Sequence, residues 1–259
     1  MKPSISIDSW SVKAIRRALS PLHRYFDVQL EGLEHVPEQG PVFLVGNHAL
    51  LGIDSFVLFP ALMRQFERVP RGLALRTLFD NPVMGKLLHE VGIVPGSRSS
   101  GVALLRGGQM VVTYPGGMSD SVKGRNKRYT LQWQERCGFA HVALRAGVPV
   151  TPVAAVGPDE IFPILSDRGL LPVSFLGDRT SRAPAFLPVA RPVRCVFRFG
   201  KPVQLPDLGS ALNAGQEVPE SLMPQCSLYA REVESALDRL IQDTLRDHPK
   251  RLRLLPRRG

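Results

Sequence analysis

One stretch of the chain sets a titratable base beside an acid: Val42-Phe-Leu-Val-Gly46-Asn47-His48-Ala-Leu-Leu-Gly52-Ile-Asp54. The apolar run Val42–Val45 has the length and β-branching of a buried strand. Gly46 permits a turn at its end, and Ser55–Phe66 reads as a helix. A histidine at the carboxyl end of a strand, with a carboxylate close by, is one way to build a general base, because imidazole titrates near neutral pH. Two readings stand for each residue. His48 is either that base or a polar loop histidine. Asp54 either orients the imidazole and stabilises its protonated form, or caps the helix that follows. It is the only acid between residues 41 and 66.

The elements that must hold these groups follow from the hydrophobic pattern. Ser9–Tyr25 reads as a basic amphipathic helix, with Trp10, Ile15, Leu19 and Leu22 on one face and Lys13, Arg16, Arg17 and Arg24 largely elsewhere. It suits either an interfacial anchor or a helix packed on its own domain. Strands are expected at Phe26–Leu30, Val42–Val45, Leu73–Leu75, Val91–Val94, Met110–Tyr114, Val150–Val156 and Arg194–Phe199. Helices are expected at Pro82–Glu90, Gly101–Gly107, Gly138–Ala146 and Gln225–Leu245. Crossovers of this length between short apolar runs make the fold α/β, with a mainly parallel twisted sheet flanked by helices.

Residues 1–25 thus form an N-terminal helix, 26–248 a single α/β domain and 249–259 a basic tail. Within the domain, Ile161–Pro192 is a proline-rich excursion with no regular pattern of its own and several apolar residues, among them Phe162, Leu165, Leu171, Phe175, Leu176, Phe186 and Leu187. Such a loop either meets a bilayer or an acyl chain, or packs on the domain.

Composition narrows the partners. A 44% hydrophobic and 22% charged content is ordinary for a globular chain, and the net charge of +10 favours a polyanionic neighbour. No nucleic-acid reading motif is present, so an anionic membrane surface is the expected partner rather than nucleic acid. Three cysteines without metal-type spacing argue against a zinc site or a disulfide framework and suit a reducing compartment. Neither a secretory leader nor an apolar run long enough to span a bilayer is evident. The expected location is cytoplasmic, peripheral to the inner face of a membrane.

Five blocks in order carry a resemblance. They are Asn47-His48 with Asp54; Arg76-Thr-Leu-Phe79 leading through Pro82, Gly85 and Gly92 to Arg98; Val112-Thr-Tyr114-Pro115-Gly116-Gly117; Gly147-Val-Pro-Val-Thr-Pro152-Val; and Phe199-Gly-Lys-Pro-Val203. Over roughly residues 26–205 the chain resembles the glycerolipid (lysophospholipid) acyltransferase superfamily. The Tyr-Pro-Gly-Gly block and the Gly-Phe-Ala…Arg-Ala-Gly run are similar to the branch holding monoacylglycerol and diacylglycerol acyltransferases and phytyl ester synthases. The resemblance implies transfer of a fatty acyl group from a thioester, on coenzyme A or acyl carrier protein, to a hydroxyl of a lipid. No cofactor is implied beyond that co-substrate. His48 would be the base and Asp54 its partner, with Arg76, Arg98, Tyr114, Pro115, Gly116 and Gly117 about the substrates.

Two departures matter. The superfamily usually places four residues between the histidine and the aspartate, and here there are five. On a helix the extra residue would turn the acid by about 100°. Enzymes acylating phosphorylated glycerols typically show Phe-Pro-Glu-Gly-Thr-Arg, whereas this chain has Tyr114-Pro-Gly-Gly-Met-Ser119, without the glutamate or the arginine. That favours a neutral alcohol or acylglycerol over lysophosphatidic acid as acceptor, although Arg98 is retained and suits either an anionic head group or a plain surface position. The basic segment Ser119–Arg136 suits coenzyme A phosphates, anionic lipid or solvent. Alternatives to the neutral-acceptor enzyme are a lysophospholipid acyltransferase, a non-catalytic lipid binder, and a serine hydrolase built on Ser119. The last lacks the Gly-x-Ser-x-Gly pattern of a nucleophile elbow.

Overall fold

The computed structural model describes residues 6–173, 181–207 and 218–249. Its strands are β1 (Gln29–Glu31), β2 (Val42–Gly46), β3 (Arg71–Ala74), β4 (Val94–Pro95), β5 (Met110–Thr113), β6 (Val150–Val156), β7 (Ile164–Pro172), β8 (Arg182–Phe186) and β9 (Val196–Phe199). Its helices are α1 (Trp10–Tyr25), α2 (Ile53–Phe66), α3 (Pro82–Glu90), α4 (Arg98–Arg106), α5 (Met118–Ser121), α6 (Gly138–Ala146) and α7 (Met223–Asp247). Seven strands form one sheet in the order β1-β9-β6-β2-β5-β3-β4. All neighbours run parallel except β6 and β9.

The apolar run that opened the reading is β2, buried along its whole length between β5 and β6. Because side chains alternate along a strand, Phe43 and Val45 face one layer while Val42 and Leu44 face the other. On the first side they pack with α4, α6 and α7, through residues such as Val102, Val142, Val233 and Leu237. On the second they meet Leu58 and Leu62 of α2 and Phe197 and Phe199 of β9. After β2 the chain leaves onto the second face as α2. After β5 it passes onto the first as α6. A crevice therefore opens at the carboxyl ends of these neighbouring strands, where ligands bind in open α/β sheets.

Several boundaries differ from expectation for local reasons. The fourth helix starts at Arg98 rather than Gly101, because the Ser97 hydroxyl accepts from Ser100 N–H and so caps it. Val91 closes α3, and the strand after it shrinks to Val94–Pro95, a position at the sheet edge where a proline is tolerated. α1 packs on its own domain by burying Val12 against Met63 and Val69, while Trp10 stays 84% exposed instead of joining the packed face. No helix among the described residues is long and apolar enough to cross a membrane.

The excursion is the main correction. Within Ile161–Pro192, β7 and β8 pair as an antiparallel ribbon, so the segment has regular structure of its own. Register shifts between Ile164, Ser166, Gly169 and Leu171 break the two-residue alternation, which is why no strand pattern shows in the sequence. Phe175 and Leu176 lie outside the described residues, as does the basic tail from residue 250. The ribbon buries Ile164 at one end and Val173 and Ala183 at the other in one cluster with Leu50, and Leu51, Met118 and Val122 pack against them.

A buried ion pair ties the segment after α5 to the end of β6. Lys123 Nζ lies 3.2 Å from Asp159 Oδ2, with both side chains almost fully buried. Lys123→Ala leaves that carboxylate without its counter-charge and is expected to cost about 3–5 kcal/mol in urea unfolding, whereas the double change Lys123→Met, Asp159→Asn, which keeps an acceptor for Tyr129 N–H, is expected to recover most of it.

Candidate active site

The site is built from the turn that links β2 to α2. Asn47 prolongs the pairing of β2 with β6, its side-chain amide donating to Ala155 O at 2.9 Å and its carbonyl accepting from Ala155 N–H at 2.8 Å. That fixes the residue from which His48 projects. The chain then turns through Leu50–Gly52, where Leu51 (φ 55°) and Gly52 (φ 73°) both adopt left-handed backbone. This pair absorbs the extra residue between His48 and Asp54. The expected helical rotation does not arise, because the insertion lies in a non-helical turn.

Asp54 consequently faces His48. Its Oδ1 lies 2.8 Å and its Oδ2 3.0 Å from His48 Nδ1, and Oδ1 also accepts from Ala49 N–H at 2.8 Å. The helix-capping alternative does not describe the geometry: Gly52 is the cap of α2, and Asp54 sits in its first turn with its carboxylate turned back to the loop. A carboxylate on Nδ1 places the imidazole proton there and leaves the Nε2 lone pair available. Asp54 is fully buried while the His48 side chain is 16% exposed, so the pair has one open side.

Tyr114, at the end of β5, stacks on the imidazole with ring centroids 4.0 Å apart and 12° between planes. Its hydroxyl accepts from Ser55 Oγ at 3.2 Å. Burial, and then the neighbouring Asp54 charge, push the phenol well above its ordinary value, so it stays protonated at any working pH. Gly46 makes room for the stack: a Cβ there would come within 3.4 Å of the Tyr114 ring.

The Pro115-Gly116-Gly117 segment is clamped from two sides. Arg136 donates to Gly116 O at 2.6 Å and Pro115 O at 3.3 Å, and more loosely to Ser119 Oγ at 3.4 Å. Beneath it lies Asp120, fully buried, whose Oδ1 accepts from Gln132 N–H at 2.8 Å. The other oxygen has no hydrogen-bond partner among the described residues, and a Cβ on Gly116 would overlap it. Burial raises the Asp120 carboxyl above its ordinary value, against the pull of Lys123.

A cleft of about 150 Å³ opens over these groups. His48, Ser55, Tyr114 and Ser121 are its polar side chains, and Phe59, Leu75, Leu78 and Met118 form much of its apolar wall. Among the residues expected at the substrates, Tyr114 and Gly117 line it, while Pro115 and Gly116 form the loop alongside. Arg76 and Arg98 do not enter. Arg76 is exposed on the turn Arg76–Phe79 at the mouth, and Arg98 is exposed beyond β4. That strand lies three positions from β2, or roughly 14 Å away at ordinary strand spacing.

The basic segment divides. Lys123 is buried in its ion pair and Arg136 is spent on the loop, which leaves Arg125 and Lys127 exposed. Ser119 meets Arg136 rather than a histidine, so the hydrolase alternative gains no support. Asn47, Gly52, Asp120 and Arg136 escaped the sequence reading as site-building residues. Asn47 and Gly52 stood inside the His48–Asp54 stretch, and Asp120 and Arg136 inside the basic segment Ser119–Arg136, without a local pattern that singled them out.

Comparison with known proteins gives the family and the fold. The acyltransferase family model matches residues 27–156, half of the chain, and the protein belongs to that family. An uncharacterized protein of Mycobacterium tuberculosis is 32% identical over 196 residues, covering 72% of this chain and 54% of its own. Phytyl ester synthase 2, chloroplastic, of Arabidopsis thaliana is 29% identical over 241 residues, covering 82% of this chain and 34% of its own. A human protein named DGAT1/2-independent enzyme synthesizing storage lipids is 30% identical over 125 residues, 48% of this chain and 38% of its own. The chain thus spans about half the length of the mycobacterial relative, and less of the other two. The fold is that of the 1-acyl-sn-glycerophosphate acyltransferase PlsC of Thermotoga maritima, with a TM-score of 0.52 and 18% identity over 89% of this chain and 78% of that one.

A Cβ at position 52 would sit 3.1 Å from His48 Cε1 and 3.2 Å from Nε2, on backbone that disfavours any side chain. Gly52→Ala is therefore expected to displace the imidazole, seen as a shift of its NMR resonances, and to cost about 1 kcal/mol of stability. For Asp120 the folded value lies above the unfolded one, so its protonated form favours folding. That contribution is complete below the ordinary value of 3.8 and is lost as pH rises through the raised folded value. Asp120→Asn is expected to remove this loss, flattening the stability profile in mild acid and raising the unfolding midpoint at neutral pH.

Proposed function

We propose that this chain is an O-acyltransferase that moves a fatty acyl group from a thioester to the hydroxyl of a neutral, lipophilic acceptor at the inner face of a membrane. The observation that carries the reading is the His48–Asp54 pair, closed on its Nδ1 side and open at the mouth of an apolar cleft.

His48 Nε2 takes the proton of the acceptor hydroxyl as the oxygen attacks the thioester carbonyl carbon. Asp54 holds the ring in the tautomer this needs and stabilises the imidazolium. As the tetrahedral intermediate collapses, the carbon–sulfur bond breaks, and the departing thiolate takes the proton from His48. The ester forms without an acyl-enzyme, and no serine or cysteine is needed as a nucleophile. The stacked Tyr114 restricts the ring's motion and excludes water from its face.

The wall of the cleft supports a neutral acceptor. Its side chains are apolar around His48, Ser55, Tyr114 and Ser121, and no arginine lines it among the described residues to receive a phosphate. The phytyl ester synthase and storage-lipid names of two relatives support a neutral acceptor. Arg125 and Lys127, exposed beyond α5, are available to the phosphates of a coenzyme A or acyl carrier protein donor. The net charge of +10 suits the negative potential of a cytoplasmic leaflet.

Labelled acyl-CoA and acyl carrier protein, offered with lysophosphatidic acid, monoacylglycerol, diacylglycerol and long-chain alcohols, test the reading. The wild type is expected to esterify one of the neutral acceptors, and His48→Ala to lose about 10²–10⁴-fold in rate while keeping its fold. Strong preference for lysophosphatidic acid would overturn the acceptor assignment. Absence of any His48-dependent product would overturn the enzyme.

A further inference from the structure

The face beside the cleft carries apolar side chains that are exposed and that no other described residue covers. α3 is a nine-residue helix held to the domain on one side, where Gly85 packs so closely on Phe79 that a Cβ would come within 3.3 Å of its carbonyl oxygen. With Gly85 inward, helical geometry turns Val83 and Leu87 outward, four residues apart on one face. Val83 is 79% exposed and Leu87 48%, with Met84 beside them at 44%.

This face is continuous with the mouth. Leu75 is 41% exposed and also lines the cleft, on the turn that leads into α3. Across the cleft, Phe59 of α2 reaches Gly72 of β3. α2 runs antiparallel to the parallel strands, so Phe56 lies one turn nearer the mouth than Phe59, and it is 56% exposed. The exposed rim therefore runs from Phe56 through Leu75 to Met84, Val83 and Leu87. Single exposed leucines need no explanation, but a contiguous apolar rim around a substrate entrance does.

We propose that this rim is the membrane-docking surface, inserting α3 and the turn before it into the interfacial region of a bilayer, so that a lipid acceptor enters the cleft without crossing water. The proposal rests on the lipophilic acceptor assigned above. Around the rim, exposed Arg76 and Lys86 are offset by exposed Asp80 and Glu90. Insertion is therefore driven by apolar contact, and the net charge of +10 supplies long-range attraction to anionic lipid. A bilayer fits this rim better than a second copy of the chain, because the cleft opens through it and a protein partner would cover the entrance.

The test uses vesicles of phosphatidylcholine and phosphatidylglycerol in equal parts. The double variant Val83→Glu, Leu87→Glu is expected to lose about tenfold or more in vesicle partition. Leu228→Glu, at a 58% exposed position on α7, is expected to partition like the wild type. With a short-chain, water-soluble alcohol the double variant should acylate within about twofold of wild type, while transfer to a vesicle-borne acceptor falls with partition. In a Trp10→Phe background, Met84→Trp gives a reporter that does not depend on loss of function, and its emission should shift to the blue on vesicle addition.

Unchanged partition of the double variant, or unshifted Met84→Trp emission, overturns the proposal. So does a wild-type dimer in sedimentation that the double variant converts to monomer, since it would give the face to a second copy. If the wild type acylates nothing, the catalytic reading falls alone, because partition and fluorescence still answer for the surface.

Discussion

A fully buried carboxylate is tolerable only when its oxygens are met by donors, and Asp54 meets that condition inside a single turn of chain. Its donors are the backbone N–H of Ala49 and the Nδ1–H of His48, both belonging to the turn it closes. The imidazole is thus part of the solution to burying Asp54, and its orientation is fixed by the fold before any substrate arrives. Left-handed backbone at Leu51 and Gly52 is what lets the turn close with one residue more than the superfamily's usual spacing. Strain of this kind persists where surrounding packing over-determines it. Here Leu50 is buried against the β7–β8 ribbon, and Leu51 packs against the same cluster.

The second half of the site depends on a different compensation. Glycines at 116 and 117 leave the loop after Tyr114 without side chains to hold it, and glycine is costly to order. Asp120 from below and Arg136 from the side supply that order. The space a side chain on residue 116 would occupy is filled by the Asp120 carboxylate. The glutamate expected there from phosphate-acceptor enzymes is thus absent as a residue, while a carboxylate from the next turn packs under the same loop. It is buried and outside the wall of the cleft, so it acts on the backbone and does not meet the acceptor. Its burial, like that of the Lys123–Asp159 pair behind it, concentrates polar packing under the loop while the cleft above stays apolar.

Much of this was legible from residue order, for identifiable reasons. Strands buried on both faces read as continuous apolar runs, so Val42–Val45 and Val150–Val156 stood out and their parallel pairing followed. His48 and Asp54 were visible because their blocks recur in a fixed order with the others. The β7–β8 ribbon was not, because bulges and prolines erase the two-residue period on which strand reading relies. Nor was the rescue of the long His–Asp spacing visible, since a helical projection says nothing about a turn with two left-handed residues. Asp120 and Arg136 act on a loop through contacts that no local pattern encodes.

The placement of charge bears on specificity more than its total does. Of the cations near the blocks, Lys123 and Arg136 are committed to the scaffold, Arg76 stands at the rim, and Arg98 lies across the sheet edge. A phosphate at the acceptor would have to be desolvated in a cleft that no cation lines among the described residues, and an unpaired buried charge costs several kcal/mol even after relaxation. A neutral alcohol incurs no such penalty, and in the proposed mechanism it gives up one proton, to His48 Nε2. The apolar wall that disfavours a phosphate leads to the exposed residues of the rim. The proposed selectivity for a neutral acceptor and the proposed access from a lipid phase thus draw on one choice of side chains.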